Sequence, residues 1–599
     1  MKGPIVLKFG GSVLADESSL QLAVHEIYRW RREGHTVLAV VSALAGTTDQ
    51  LVAQGKQVHP SLAADKTATL LATGESQCAG LLGLYLDRAG IPARILSAGA
   101  IDLRAQGDPL EAVPTAVDRE RIEAALDSEG VAVVPGFAAQ DGVGRTVVLG
   151  RGGSDLTALF LADALGGCAC RLIKDVQGIY EWDPSSAGTP PRRFDVATWD
   201  DALDAGGTIV QRQAVEFARS RQLSFELGAL NSSSPTRVGP GPSALVEAPA
   251  PSPPLKIALL GLGTVGKGVF DHLRGLSDQF LVTEVVVRDQ KRAAQSGVPP
   301  EQLSGDPLAV AASGADIVVE ALGDPDLSGA AIHTALKHGS HVVTANKAVM
   351  AEQGAHLKAE AAAHRVRLLN GACVGGSMPL LEQLGGRNSK PIRRLRGVLN
   401  GTANYVLSRV RRGATLPDAL ATAQELGYAE ADPTLDLSGQ DAAQKLSLIA
   451  SALGQPELSW EPCGVEAITP AARHRAQTSE SALRQVATLE ILHTGARASI
   501  RLEALPATDA LFAVDDEHNA VAIDYTDGSS TTLQGKGAGR WPTAQSVVGD
   551  LLRLARERVG DAARTPGGEQ EVQAQTQGSQ RSLDPPPSSS PLGPASQTR

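Results

Sequence analysis

The apolar positions of this chain fall in short runs that alternate with longer stretches of helical character. The alternation fills two blocks, roughly residues 1–239 and 255–560, whose first apolar runs are IVLKF and LKIALL. Short β-rich runs that alternate with helices are typical of α/β domains with largely parallel sheets. The sequence therefore predicts an α/β protein built from at least two folded blocks.

Two segments lack this pattern. Residues 240–254 are rich in proline, alanine and serine, and we expect them to form an extended linker. Residues 565–599 show no apolar periodicity, and we expect this tail to be disordered.

The composition fits a soluble globular protein of three or four folded units, with 599 residues of which 42% are hydrophobic. No apolar run is long enough to span a bilayer, and the opening MKGPIVLKFGG lacks a secretory signal pattern. A net charge of −11 without a dense basic patch argues against nucleic-acid and membrane partners. Five cysteines cannot form a disulfide framework, and the isolated Cys168 and Cys170 favour buried thiols over a metal site. We therefore expect a cytoplasmic protein without a protein-bound metal.

A glycine-rich turn follows the first strand of the second block. Residues 255–260 are apolar, and Gly261, Gly263 and Gly266 follow with the spacing GxGxxG before a predicted helix. In a dinucleotide-binding turn these glycines permit a tight turn, close approach of a pyrophosphate, and close packing of helix on strand. A glycine-rich surface turn is the alternative, but the strand before it and the helix after it favour dinucleotide binding.

Charges after the next strand bear on the choice of cofactor. The run FLVTEVVV leads to Arg288 and Asp289, and Lys291 and Arg292 follow closely. An acidic residue at this place would favour the ribose hydroxyl of NAD, whereas a basic cluster would favour the 2′-phosphate of NADP. The cluster favours NADP, and NAD is the alternative.

Two further strands are predicted within residues 315–323 and 341–347. Lys347 then lies just past the carboxyl end of a strand, where open α/β sheets bind their ligands. A lysine in a loop is usually only solvated, so its position alone assigns no role.

An acidic segment lies between two predicted helices. The first helix begins near Thr415, where Asp418 completes a capping box, and should end at Gly427. The second helix begins near residue 441, and we expect the connection between the two helices to be an irregular loop. The connection and the start of the second helix carry four carboxylates and one lysine: Glu430, Asp432, Asp436, Asp441 and Lys445.

Asp441 and Lys445 are four residues apart and share one helical face. A solvated surface with an ordinary ion pair is the usual outcome for such a cluster. A loop with so many acids after a nucleotide-binding pattern nevertheless favours a functional site.

These segments together resemble homoserine dehydrogenases. The motifs GLGTVG, VVTANKA, NGTANYVL, AEADPTLDLSGQDAAQKL and GKGAGRWPTAQSVVGDL occur in the order of that family and cover nearly all of 255–556. The resemblance implies a Rossmann domain at 255–390 and an α+β catalytic and dimerisation domain at 391–560, whose last part returns to the nucleotide-binding domain. It also implies reduction of L-aspartate 4-semialdehyde to L-homoserine with NADP or NAD as cofactor, in at least a homodimer.

The resemblance also assigns residues. Lys445 and Lys347 would flank the reacting carbonyl, Asp441 would orient both lysines, and Glu430, Asp432 and Asp436 would bind substrate. The implied cofactor-binding residues are Gly261, Gly263, Thr264, Val265, Gly266, Arg288, Thr344, Gly537 and Thr543. Where the family commonly has Glu-Ala before a Val-Gly-Gly turn, this chain has Gly371 and Ala372, which puts the family's monovalent cation site in doubt.

The first block contains two Gly-Gly-Ser turns, IVLKFGGSVL and LGRGGSDLTALFLADAL, which could hold phosphates through backbone N–H groups. With VVSALAGTTDQL, TGES and RLIKDVQGIYEWDP they resemble the amino-acid kinase family, and specifically aspartate kinases, over about residues 4–230. The resemblance implies transfer of phosphate from ATP to L-aspartate, with Mg²⁺ carried on the ATP phosphates. The implied site consists of Lys8, Gly10, Gly11, Lys174 and Asp175 around ATP, Ser42, Thr48, Glu75, Arg151 and Ser154 around aspartate, and Asp155 orienting Lys8.

This block departs from the family at three points. The late Gly-Ala-Lys-Val turn reads Gly206-Gly207-Thr208-Ile209, so a phosphate-binding lysine is missing, and we hypothesise that Lys174 supplies its charge. The opening also lacks the threonine of the usual KFGGTSV, and the alternative is a degenerate kinase retained for binding or assembly. Finally, some 15 residues between the blocks cannot hold the regulatory ACT domains of aspartate kinases, so we expect weak or absent feedback inhibition by threonine or lysine.

Overall fold

The computed structural model describes residues 2–562 apart from short internal gaps. The gaps are 60, 62, 187–189, 206–208, 249–251, 290–292, 294–295, 386–389, 427, 430–431, 456, 470–474 and 476–480. Several sequence predictions therefore fall outside the described residues, namely those on Thr208, Lys291, Arg292, Gly427, Glu430 and the tail 565–599.

The amino-terminal block is built on a nine-stranded sheet with the order β13-β10-β12-β11-β9-β1-β2-β6-β3. Its central strands are parallel, and only the pairs β11–β12 and β10–β13 are antiparallel. Its strands are β1 Ile5–Phe9, β2 Val37–Val41, β3 Arg94–Ile95, β6 Val131–Pro135, β9 Ala169–Ile173, β10 Arg193–Ala197, β11 Phe225–Gly228, β12 Thr236–Val238 and β13 Ala244–Val246. A four-stranded sheet, β5-β4-β7-β8, consists of β4 Arg104–Gln106, β5 Val113–Ala116, β7 Ala138–Gln140 and β8 Thr146–Val148.

The helices of this block pack on the large sheet because its strands are apolar on both faces: β1, β2 and β6 are buried at every position. They are α1 Ser19–Arg32, α2 Thr47–Val58, α3 Ala64–Arg88, α4 Arg119–Glu129, α5 Gly153–Ala164, α6 Trp199–Ala205 and α7 Arg212–Ser220. The segment 240–254, expected as a linker, contributes β13 to the edge of the sheet.

The second block begins with a parallel six-stranded sheet, β16-β15-β14-β17-β18-β19. Its strands are β14 Leu255–Leu260, β15 Phe280–Val286, β16 Leu303–Ser304, β17 Ile317–Glu320, β18 His341–Thr344 and β19 Leu368–Leu369. Its helices are α8 Thr264–Arg274, α9 Pro307–Ala311, α10 Pro325–Lys337, α11 Lys347–Ala363 and α12 Leu380–Leu384, with 3-10 turns at Pro300–Gln302 and Gly371–Cys373. This is the doubly wound arrangement that the sequence predicts.

A second six-stranded sheet, β21-β23-β22-β20-β24-β25, is mainly antiparallel. Its strands are β20 Ile392–Val398, β21 Leu458–Val465, β22 Ala482–Leu492, β23 Gly495–Leu505, β24 His518–Tyr525 and β25 Ser530–Lys536. Its helices are α13 Gly401–Arg411, α14 Leu416–Glu425, α15 Thr434–Leu437 and α16 Gln440–Ala452. The last helix, α17 Arg540–Ala562, leaves this sheet and packs against α8 of the doubly wound sheet.

Most predicted elements of the second block occur at the expected residues. The capping box is present, since the Thr415 hydroxyl accepts from the Asp418 N–H at 3.2 Å before α14. The acidic connection is less irregular than predicted because it contains the one-turn helix α15. In the first block, the segment 171–184 contains the end of β9 and an isolated bridge between Tyr180 and Arg193. No described helix is long and apolar enough to cross a membrane.

Two candidate active sites

The glycine turn after β14 has the geometry of a phosphate cradle. Gly261 has a φ of +103°, and a Cβ there would lie 2.5 Å from the Ala321 carbonyl oxygen, so only glycine fits. A Cβ on Gly266 would overlap the Gly261 carbonyl oxygen. A Cβ on Gly263 would meet nothing within 4 Å, so the backbone is open beside the first turn of α8, which Thr264 and Val265 begin. The turn therefore fits a dinucleotide pyrophosphate at a helix N-terminus.

The carboxyl ends of the neighbouring strands form the floor of this site. Leu260, Glu320 and Thr344 are in register on three adjacent parallel strands. The buried Glu320 carboxylate accepts from the Thr344 hydroxyl at 2.5 Å and from the Ser328 hydroxyl at 2.8 Å, and burial raises its pKa. The Thr344 hydroxyl is also engaged on its other side, because it accepts from the Asn346 N–H at 3.0 Å. Sequence reasoning missed Glu320, which lies inside an apolar strand without a motif.

Asp441 lies between two lysines at the same edge. Its carboxylate pairs with Lys347, the first residue of α11, and with Lys445 at 2.8 Å, one turn along α16. The Asp441 and Lys445 side chains are 3% and 8% exposed, whereas that of Lys347 is 41% exposed. Burial raises the pKa of Asp441, but the charges of Lys445 and Lys347 outweigh it and hold this pKa below its usual value. Asp441 is therefore an anion at neutral pH, and the structure brings these three predicted residues together.

Asn400 orders the same cluster from the N-terminus of α13. Its side-chain amide donates to Asp436 and to Asp441, both at 2.7 Å, while its oxygen caps the Ala403 N–H at 2.7 Å. The Lys445 ammonium donates to the Leu399 carbonyl at 2.8 Å. The motif Asn400-Gly401-Thr402 was visible in the sequence, but nothing there indicated that the amide would bridge two carboxylates.

The other predicted substrate and cofactor residues differ in their surroundings. Asp432 is exposed, and its carboxylate accepts from the N–H of Thr434, the first residue of α15, at 3.1 Å and from its hydroxyl at 2.5 Å. Arg288 is exposed beyond β15. Gly537 is buried, and a Cβ there would overlap the side-chain amide of Asn519. Thr543 lies half-buried in the first turn of α17.

In the amino-terminal block the predicted residues meet at the carboxyl ends of β1, β2 and β9. The buried Asp155, in the first turn of α5, pairs with Lys8 at 2.6 Å and with Lys174 at 2.8 Å. Burial lowers the pKa of Lys8 to about 8, although Asp155 counteracts it. Two ammonium groups on one carboxylate leave a net positive charge at this edge, which suits a phosphate.

Several residues predicted to bind aspartate lie around the cluster of Lys8, Asp155 and Lys174. The Ser42 hydroxyl donates to Ser154 at 3.0 Å. Glu75 is buried on α3, burial raises its pKa to about 7, and its Oε2 atom has no hydrogen-bond partner among the described residues. Thr48 is half-buried in the first turn of α2, and Arg151 is exposed in the turn before α5.

Gly10 and Gly11 form the turn beside these lysines. A Cβ on Gly10 would lie 3.4 Å from Lys8 Nζ and 3.7 Å from the Lys174 side chain, and one on Gly11 would lie 3.4 Å from the Ala43 carbonyl. The Ser12 hydroxyl donates to the exposed Asp175 at 3.1 Å, which joins this turn to the loop after β9. Within the described residues no cluster of three or more His, Cys, Asp or Glu side chains could hold a metal ion.

Both halves of the chain match models of known protein families. Residues 261–370 match the family model described as homoserine dehydrogenase, NAD binding domain, residues 379–552 match homoserine dehydrogenase, and residues 3–225 match the amino acid kinase family. A homoserine dehydrogenase of Pseudomonas aeruginosa is 34% identical over 323 residues, which are 51% of this chain and 74% of that protein. One of Mycobacterium leprae is 35% identical over 321 residues, 51% of this chain and 73% of that protein. The crystal structure of a homoserine dehydrogenase from Thiobacillus denitrificans shares 33% identity over 52% of this chain and 76% of its own, with a TM-score of 0.48.

Proposed function

Because this chain belongs to the homoserine dehydrogenase family, we propose that residues 255–560 reduce L-aspartate 4-semialdehyde to L-homoserine with NAD(P)H. The observation that carries the proposal is the Lys347–Asp441–Lys445 cluster, with Asp441 and Lys445 buried, at the sheet edge where the glycine cradle opens. A bound reduced nicotinamide supplies the hydride. The residues of the chain supply the charge and the proton that the aldehyde oxygen needs.

Lys445 is the better placed of the two lysines to meet that oxygen. An ammonium group has three N–H donors, and the Leu399 carbonyl and the Asp441 carboxylate take two of those on Lys445. The third N–H donates to the aldehyde oxygen, where negative charge develops as the hydride arrives. Asp441 orients Lys445 and is its counter-ion in a buried place, and Lys347 adds a second cation. General acid catalysis of this kind contributes roughly 10²–10⁴-fold to rate.

The carboxylates beside the cluster recognise the rest of the substrate. Asp436, fixed by Asn400 at 2.7 Å, binds the substrate ammonium group together with Glu430. The Asp432 carboxylate is instead engaged by the N–H and hydroxyl of Thr434.

The test is a substrate comparison on the purified full chain. We expect NADPH oxidation with aspartate 4-semialdehyde and at least about tenfold lower kcat/KM with succinic semialdehyde, which lacks the ammonium group. NADPH and NADH are compared in the same assay, and Arg288 favours NADPH. Absence of semialdehyde-dependent oxidation with either cofactor contradicts the proposal.

For residues 1–239 we propose phosphorylation of L-aspartate by MgATP. The support is the arrangement of Lys8 and Lys174 on Asp155 beside the Gly10-Gly11 turn, which collects positive charge where a phosphate can be stabilised. Glu75 lies near Lys8, its Oε2 atom has no hydrogen-bond partner among the residues that the structure describes, and it suits the ammonium group of aspartate. ATP-dependent formation of aspartyl hydroxamate tests this. If no hydroxamate forms while NADPH is oxidised, the amino-terminal block serves binding or assembly instead.

A further inference from the structure

Arg32 is a buried arginine of the amino-terminal half whose side chain pairs with carboxylates of the dehydrogenase half. It ends α1, and its guanidinium pairs with Glu382 of α12 at 2.8 Å and with Asp550 of α17. The side chains of Arg32, Glu382 and Asp550 are 7%, 10% and 2% exposed. Burial raises the pKa of Glu382, and Arg32 opposes that shift. The guanidinium is thus the counter-ion of two carboxylates in a buried place, where an uncompensated charge is costly.

The carboxylates bound by Arg32 anchor one end of a loop in the dehydrogenase half. Asp550 accepts from the Gly371 N–H at 3.1 Å, and a Cβ on Gly371 would overlap the Glu382 carboxylate. Gly371 thus leaves the space that the carboxylate fills. Residues 371–378 begin at this anchor, and we call them the anchored loop.

The other end of the anchored loop contacts the segment predicted to bind cofactor. A Cβ on Gly376 would overlap the Lys536 carbonyl oxygen, and Gly376 lies against the backbone of Gly537. The amino-terminal block reaches this end as well, since the Gly90 carbonyl accepts from the Ser377 hydroxyl at 2.7 Å and from the Lys536 N–H at 3.1 Å.

A short chain of contacts then leads from Gly537 to the candidate catalytic lysine. Gly537 packs on Asn519, whose amide donates to the Leu399 carbonyl at 2.8 Å. The same carbonyl accepts from Lys445 at 2.8 Å. Displacement of the anchored loop should therefore shift both the backbone at Gly537 and the Leu399 carbonyl that holds Lys445.

We propose that Arg32 is a positioning residue of the dehydrogenase site, so that the amino-terminal block completes that site by holding the anchored loop. The inference rests on the proposed dehydrogenase function. It assigns the amino-terminal block a task that does not depend on whether that block phosphorylates aspartate. Arg32 acts through the loop and does not touch the reacting atoms.

The experiment compares three variants of the full chain: Arg32→Met, Arg32→Lys and the control Arg29→Met. Arg29 lies on the same helix and is also largely buried, but its partners Glu26 and Glu33 belong to the amino-terminal block. The readouts are NADPH affinity by fluorescence titration, kcat and KM for the semialdehyde, and thermal unfolding. Misplacement of a site by about 1 Å can cost about 10²-fold in rate. We expect Arg32→Met to weaken NADPH binding about tenfold and kcat/KM about 10²-fold, Arg32→Lys to fall between, and Arg29→Met to match the wild type.

Wild-type NADPH affinity and kinetics in a folded Arg32→Met variant overturn the proposal. If that variant does not fold, the charge-balanced Arg32→Met/Glu382→Gln variant decides by the same readouts, and NADPH affinity within twofold of wild type overturns the proposal. Failure of the proposed function is a separate result. A wild-type chain that binds NADPH but does not reduce the semialdehyde refutes the reaction, while the comparison of NADPH affinities still tests the role of Arg32.

Discussion

Asp441 and Lys445 lie one helical turn apart and form an ion pair of 2.8 Å in which neither side chain is more than 8% exposed. A charge pair withdrawn from water to this extent costs desolvation free energy and is seldom retained for stability alone. Here the pair joins Lys347 and Asn400 at the edge of a dinucleotide-binding sheet. The predictions below follow from this arrangement and from its counterpart around Asp155.

Replacing Asp441 by asparagine removes the charge that holds two ammonium groups. We expect Asp441→Asn to lower kcat for semialdehyde reduction by at least about 10²-fold, because Lys445 loses both its orientation and its counter-ion. Leaving a buried lysine uncompensated should also cost on the order of 3–5 kcal/mol in the free energy of unfolding. Steady-state kinetics and urea unfolding measure the two effects. Asp527→Asn is the control, since Asp527 pairs with Lys390 at an exposed hairpin and should change neither. Wild-type kcat in Asp441→Asn would refute the assigned role.

Alanine at Gly263 separates cofactor binding from folding. A Cβ at residue 263 would meet no protein atom within 4 Å, and the φ of −71° suits alanine. Gly263→Ala should therefore fold with wild-type stability. The added methyl group intrudes where a pyrophosphate would approach, so we expect the KM for NADPH to rise about tenfold or more. Gly142→Ala, which also meets nothing within 4 Å but lies exposed in the amino-terminal block, should leave this KM unchanged. An unaltered NADPH KM in Gly263→Ala would contradict the placement of the phosphate.

Lys174 is expected to carry part of the phosphate charge in the amino-terminal site. We predict that Lys174→Ala lowers kcat for aspartyl hydroxamate formation by at least about tenfold, because only Lys8 then remains on Asp155. Lys66→Ala is the matched control, since Lys66 is 83% exposed and pairs only with its neighbour Asp65. Unchanged hydroxamate formation in Lys174→Ala would show that another group supplies the positive charge for the phosphate.

The same site should give a narrow bell-shaped pH dependence of kcat/KM for aspartate. Burial raises the pKa of Glu75 to about 7, so the carboxylate needed for the substrate ammonium group forms as pH rises through 7. Burial lowers the pKa of Lys8 to about 8, so the ammonium needed for phosphate is lost as pH rises through 8. Activity therefore peaks between these values, because kcat/KM reports the free enzyme. Glu75→Gln should abolish the acidic limb, and a persistent limb near pH 7 in that variant would assign it to another group.

The local features of the site could be predicted from the sequence. The spacing of Gly261 and Gly266 predicts a tight turn. Only glycine readily adopts the positive φ of Gly261, and only glycine lets residue 266 approach the Gly261 carbonyl so closely. The spacing of Asp441 and Lys445 places them on one helical face. Both features involve residues that are close in sequence, so the spacing of residue types is enough to predict them.

The long-range features could not be predicted in this way. Lys347 meets Asp441 across 94 residues, and Arg32 meets Asp550 across 518, so both pairs depend on how separate elements pack. Glu320 is one polar residue in an apolar strand, and its partners Thr344 and Ser328 are brought to it by the packing of β18 and α10 around β17. The one-turn helix α15 is too short to show helical periodicity, which is why the acidic connection was expected to be irregular.

The central claim is that two chemically distinct active sites, each with its own catalytic lysine, lie in one chain. It is tested most directly by measuring semialdehyde-dependent NADPH oxidation and ATP-dependent aspartyl hydroxamate formation on three preparations: wild type, Lys445→Met and Lys8→Met. The account predicts both activities in the wild type, loss of only NADPH oxidation in Lys445→Met, and loss of only hydroxamate formation in Lys8→Met. Wild-type NADPH oxidation in Lys445→Met, or wild-type hydroxamate formation in Lys8→Met, would contradict it.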